Sequence, residues 1–101
     1  MAHYRFNRHE LFTQEDTSEV LSIIGEIREI YMEVTTPAFE SQLDNLTNML
    51  YGLLDGYLYD NVLTTAASIV VLDIILIRRI EAIVDKCTND ILTNGQSVTM
   101  V

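Results

Sequence analysis

Apolar residues recur along this chain at helical spacing in three stretches. In the first, Val20, Leu21, Ile23, Ile24, Ile27, Ile30, Tyr31 and Val34 fall on one stripe, the mark of an amphipathic α-helix. The spacing predicts a helix over about residues 17–35, with Asp16 as N-cap and Glu19 three residues later, as in a capping box. Thr36-Pro37 opens the second stretch, since proline suits the first helical turn. There Phe39, Leu43, Leu46, Leu50, Leu53 and Tyr57 form an unbroken seam in steps of four and three over residues 37–57. Gly52 and Gly56 weaken that helix; they either admit another backbone or, at Asp55-Gly56, end it. The third stretch, residues 62–92, carries Leu63, Ala66, Val70, Asp73, Ile77, Ile80, Val84, Cys87 and Ile91 in the same steps, with Asn94-Gly95 as its stop. The β-branched run from Ile69 to Ile77 also suits a buried strand. The heptad phase continues through Arg78-Arg79-Ile80-Glu81 without a turn signal, and this favours helix.

The expected architecture is a single all-α domain over residues 1–101, an antiparallel bundle of three helices. A short arm (residues 1–12) precedes it and a tail (residues 95–101) follows it. The third helix would be about 46 Å long at the α-helical rise and outrun the other two. Its middle is apolar on nearly every side, and such a helix should be buried all round. Completion by oligomerisation is therefore expected, with Val70, Asp73, Ile77, Ile80 and Val84 as the oligomer core. Asp73 lies on that seam, where an unpaired carboxylate is costly. Either it meets a partner such as Arg28 and fixes register, or the helix turns enough to let it reach water.

Charge changes this picture by its distribution. The net charge is −9, but residues 1–9 hold two arginines and no acid, whereas residues 10–60 hold eleven acids against Arg28. The acidic segment repels phosphates, so no direct binding of nucleic acid is expected. It attracts a basic protein surface instead, and Glu19, Glu26, Glu29, Glu33, Glu40 and Asp44 are the candidate acidic interaction face. The plainer role of such a face is solubility. In the arm, Tyr4, Phe6, Leu11 and Phe12 interleave with His3, Arg5, Arg8 and His9, and packing of the arm on the acidic helices, of its own chain or of a neighbour, is expected.

One cysteine, Cys87, excludes an intrachain disulfide, and with two histidines, both in the arm, it makes no structural zinc site. Cys87 reads as a small core residue. No phosphate-binding glycine motif is present. The most apolar run, Ala66 to Ile77, includes Asp73 and falls short of a membrane span. The polar N-terminus lacks the form of a signal peptide. The ending Thr99-Met100-Val101 looks like a motif read by PDZ domains, and docking of this tail on a neighbouring subunit is an equal expectation.

Glu26 and Glu29 sit one turn apart on the first helix, and Glu40 and Asp44 share a face of the second. Oxygen ligands from two antiparallel helices suit Mg²⁺. The arrangement resembles the all-α nucleotide pyrophosphohydrolases related to MazG, which use an E-x-x-E pair on one helix and an E-x-x-D pair on another. Glu26 and Glu29 match the first pair, while Glu40 and Asp44 are four apart rather than three. The resemblance spans residues 26–44 and implies Mg²⁺-dependent pyrophosphohydrolysis as the lesser alternative.

The leading expectation is a non-enzymatic, cytoplasmic protein-binding protein without cofactor or metal, acting as a homo-oligomer on a partner with a basic surface. An inhibitor or accessory factor of a phage or other mobile element, working in the host cytoplasm, fits that description. The other reading is a helical structural subunit of a larger assembly such as a virion or multiprotein complex. No membrane partner is expected.

Overall fold

Thr13, rather than Asp16, begins the first long helix. In the computed structural model, which describes residues 2–94 and 98–100, the Asp16 N–H donates to Thr13 Oγ1 (3.1 Å) and the Thr13 N–H donates to the Asp16 carboxylate (2.9 Å). This reciprocal capping box satisfies two N–H groups that a helix start leaves open. A shorter helix precedes it, α1 (Arg8–Leu11), capped by Asn7. The long helix, α2, then spans Gln14–Glu33, almost a turn earlier than its apolar stripe alone indicates. Pro37 opens α3 (Pro37–Leu54), as its fixed φ favours.

The second helix was expected to reach residue 57, but α3 stops at Leu54. Gly56 adopts φ +82°, and a Cβ there would stand 2.8 Å from the Phe6 carbonyl oxygen. Only glycine meets both demands without strain. Beyond this turn, Tyr57–Tyr59 form a strand, β2, which pairs antiparallel with Ala2–Arg5, β1. On its other side β1 pairs antiparallel with β3 (Val98–Met100). The fold is therefore mostly helical with a small three-stranded sheet, not all-α. The arm packs within its own chain, on β2 and the Asp55-Gly56 turn. Phe6 and Phe12 are buried with ring centroids 5.5 Å apart.

The third helix is two. Val62–Ser68 form α4 and Ile74–Asn94 form α5, with a turn between. The Leu72 N–H donates to the Ile69 carbonyl (3.1 Å), and the Asp73 carboxylate accepts the Leu76 N–H (2.8 Å) in an N-cap arrangement. A continuous helix would have carried Asp73 along a buried seam. The break sets it at an exposed helix start while Ile69, Leu72 and Leu76 turn inward. The carboxylate thus keeps water and a hydrogen bond, and its desolvation cost is avoided.

Both halves of the broken helix pack on other helices of the same chain. α2 packs against α3 and α5, and α4 packs against α3 and α5. The shared core takes Val20, Ile23, Ile24 and Ile27 from α2, Leu43, Leu46, Leu50 and Leu53 from α3, and Leu76, Ile80, Val84 and Cys87 from α5. A radius of gyration of 13.4 Å matches the ~13 Å of a compact hundred-residue domain. Ile80 and Val84, expected between copies of the chain, are instead buried by the chain's own helices, whereas Val70 and Asp73 are exposed and Ile77 is half-buried. No helix among the described residues is long and apolar enough to cross a membrane.

Candidate functional site

The six carboxylates of the expected acidic face divide into two groups. Glu19 and Glu26 turn toward α5, where Arg79 grips both. Its Nη2 lies 2.6 Å from Glu19 Oε1, its Nε lies 3.3 Å from Glu19 Oε2, and Nη1 donates to Glu26. One helical turn earlier, Asp16 pairs with Lys86. That pairing, with the Thr13 hydrogen bonds, holds the Asp16 carboxyl below its usual range despite partial desolvation. These contacts also fix α5 antiparallel to α2. Sequence reading could not separate them from the rest, since Glu19, Glu26 and Glu33 recur on one side of the helix.

Of the other four, Glu29 and Glu33 lie in the second half of α2, and Glu40 and Asp44 in the first half of α3. None of the four forms an ion pair with a lysine or arginine among the described residues. Asp44 first, then Glu40, raises the Tyr31 phenol above its ordinary value. Glu29 and Glu33 also lie near the C-terminus of α2, whose last turn holds no basic residue. The helix macrodipole is negative there and opposes them.

The same half of the molecule carries exposed apolar side chains. Because α5 runs antiparallel to α2, with Arg79 level with Glu19 to Glu26, the start of α5 lies beside the C-terminal half of α2. There Val70 is 78% exposed, Ile74 59%, Ile75 70% and, on α2, Met32 83%. Single exposed apolar residues are ordinary, but several together mark interaction surfaces. The sequence did contain the signal: the run from Ile69 to Ile77 has more apolar residues than one buried stripe uses.

An open cleft of about 480 Å³ runs between the α1 segment and the Asp55-Gly56 turn, lined among others by Arg5, Asn7, Arg8 and His9. Arg5 lies over the Tyr57 ring (4.1 Å) and donates to its hydroxyl (2.8 Å). Arg8 reaches Thr17 Oγ1 (3.4 Å), while its buried Nε has no acceptor. Neither guanidinium has a carboxylate partner among the described residues, in a chain of fifteen acids. A second, apolar groove of about 340 Å³ lies between the Tyr4 face of the sheet and α5, bordered by Leu63, Val84, Ile91 and Leu92.

Of the carboxylates that carry the pyrophosphohydrolase resemblance, Glu26 pairs with Arg79 of α5, while Glu40 and Asp44 act on Tyr31. Among the described residues no three of His, Cys, Asp and Glu gather as a metal site. Cys87 is fully buried, and burial first, with Asp90 second, pushes its thiol up to about 12. The thiolate a nucleophile needs is therefore scarce at neutral pH. The PDZ-like ending includes Val101, which lies outside the described residues. No protein-family model, curated protein or solved structure matches the chain.

Proposed function

We propose that this chain is a non-enzymatic protein-binding protein that docks a cationic, amphipathic segment of a partner on the end formed by α2, α3 and the α4–α5 turn. One observation carries the reading: unpaired Glu29, Glu33, Glu40 and Asp44 occupy the same half of the molecule as exposed Met32, Val70, Ile74 and Ile75. Protein interfaces combine apolar contact with polar and charged groups around it. The negative rim speeds encounter with a basic partner, and the apolar side chains slow its release. Acids at the C-terminus of α2 cost the chain stability, which argues that they serve a surface rather than the fold. An inhibitor or accessory factor would work in this way.

The test uses a synthetic helical peptide of alternating lysine and leucine faces, titrated calorimetrically. The wild-type chain is expected to bind it more weakly as salt rises. Glu29→Lys/Glu33→Lys and, separately, Ile74→Ser/Ile75→Ser should each weaken binding by about tenfold or more, the loss typical of a hot-spot truncation. Absence of binding overturns the reading. So does binding unchanged by the two serine substitutions, since that would be mere attraction between net charges.

A further inference from the structure

Gly25 stands where nothing in its own chain asks for a glycine. It lies inside α2, and a Cβ built on it would meet nothing within 4 Å. Glycine weakens a helix interior relative to alanine, and here neither a turn nor a close neighbour in the chain offsets that loss. Gly52 and Gly56 differ, since Tyr59 and Phe6 occupy the space beside them. The remaining use of a helical glycine is to let another molecule approach the backbone closely.

The residues around Gly25 fit one kind of neighbour. Ser18, Leu21, Gly25 and Arg28 follow one another in steps of three, four and three, so they share one face of α2. All four are exposed, Leu21 at 49%, while Val20, Ile23, Ile24 and Ile27 fill the core on the other side of the helix. The spacing reads the same in both directions. When two copies of α2 lie antiparallel about a two-fold axis, Leu21 therefore falls opposite Gly25 of the second copy, and Gly25 opposite Leu21. A large apolar side chain meets an open notch twice in one contact, as a knob enters a hole.

Charge agrees with this register. Residues 10–60 hold eleven acids and Arg28 as their one base, so two such segments repel each other unless an arginine comes between them. In the antiparallel pair Arg28 falls opposite Ser18 of the second copy, and Ser18 shares an open hollow with Glu15. One helix face thus carries a projection and the notch that receives it, a cation and the acid that receives it. A face that is its own complement under a two-fold axis singles out a second copy of the chain as its occupant.

We propose that the chain dimerises through the Ser18–Leu21–Gly25–Arg28 face of α2, antiparallel and with Leu21 seated on Gly25. The contact is isologous and closes at two copies. It uses the middle of α2 and goes beyond the docking of a cationic segment at the C-terminal end of that helix.

Sedimentation velocity over a concentration series tests this. The wild-type chain is expected to dimerise. Gly25→Leu fills the notch and Leu21→Ala removes the knob, and each should weaken the dimer by about tenfold or more, as loss of an interface anchor does. Leu21→Ala/Gly25→Leu exchanges knob and notch and should restore the dimer, because the antiparallel register sets the two positions against each other. Urea denaturation at concentrations where the chain is monomeric separates this role from one in the fold. There Gly25→Leu should be more stable than wild type, since leucine favours the helix and meets no neighbour. A wild-type chain that stays monomeric at high micromolar concentration overturns the proposal. So does a dimer that Gly25→Leu leaves intact, an exchange that fails to restore it, or a Gly25→Leu monomer that loses stability, which would give the glycine a role in the fold instead.

Discussion

Asp73 illustrates how one side chain redirects a helix. It occupies a seam position, midway through the most apolar run of the chain. There the choice lies between burying a carboxylate and interrupting a helix. Burying an unpaired charge costs several kcal/mol, whereas an interruption forfeits a few backbone hydrogen bonds that the turn and water replace. The interruption wins, and Asp73 then caps α5 through the Leu76 N–H. Asp73→Leu is expected to lower stability by about 1 kcal/mol, the usual worth of an N-cap, in urea denaturation. Raised stability would mean that the cap contributes nothing and that the run prefers a continuous helix. Gly56 is the other single residue on which the fold turns, since its positive φ and its contact with Phe6 join the arm to the body.

Among the elements, α2 is built in two halves with opposite loyalties. Its first half follows the rules of stability, with Glu15 and Asp16 in the first turn, a complete capping box, and carboxylates neutralised by α5. Its second half breaks them, with Glu29 and Glu33 near a C-terminus that holds no basic residue. Glu33→Lys replaces a repulsion from the helix dipole by an attraction. It is expected to raise stability by about 0.3–1 kcal/mol, a shift of a few degrees in Tm for a domain of this size. The same substitution should weaken binding of the cationic peptide. A variant that loses both stability and binding would show instead that Glu33 supports the fold.

At the scale of the whole molecule, α5 is fastened to α2 by ion pairs and to the core by Ile80, Val84 and Cys87. The pair between Asp16 and Lys86 gives the fastening a pH dependence. Asp16 has a carboxyl pKa lowered from 3.8 by folding. Its contribution is therefore fully present above the unfolded value and is lost as pH falls through the lower folded value. Acid titration of the wild-type chain should show stability falling below about pH 4. Asp16→Asn should start less stable at neutral pH and show a shallower slope in that window. Equal slopes would place the acid sensitivity in other carboxylates.

Local pattern carried much of the fold. The stripes of α2 and α3 were legible because burial of one helix face imposes a three-and-four spacing on neighbours in sequence, whatever packs against it. Cys87 as a core residue was legible for the same reason, and Val20, Ile27, Leu43, Leu50 and Leu53 lie where the periodicity put them. Tertiary structure decided what depends on residues far apart in the chain. The strand pairing of β1 needs Tyr57–Tyr59 beside it, and two short segments show no pairing signal until they meet. Glu26 and Glu29 look alike in sequence, yet one meets Arg79 across a separation of 53 residues and the other does not. Which carboxylates are cancelled follows from the antiparallel seating of α5.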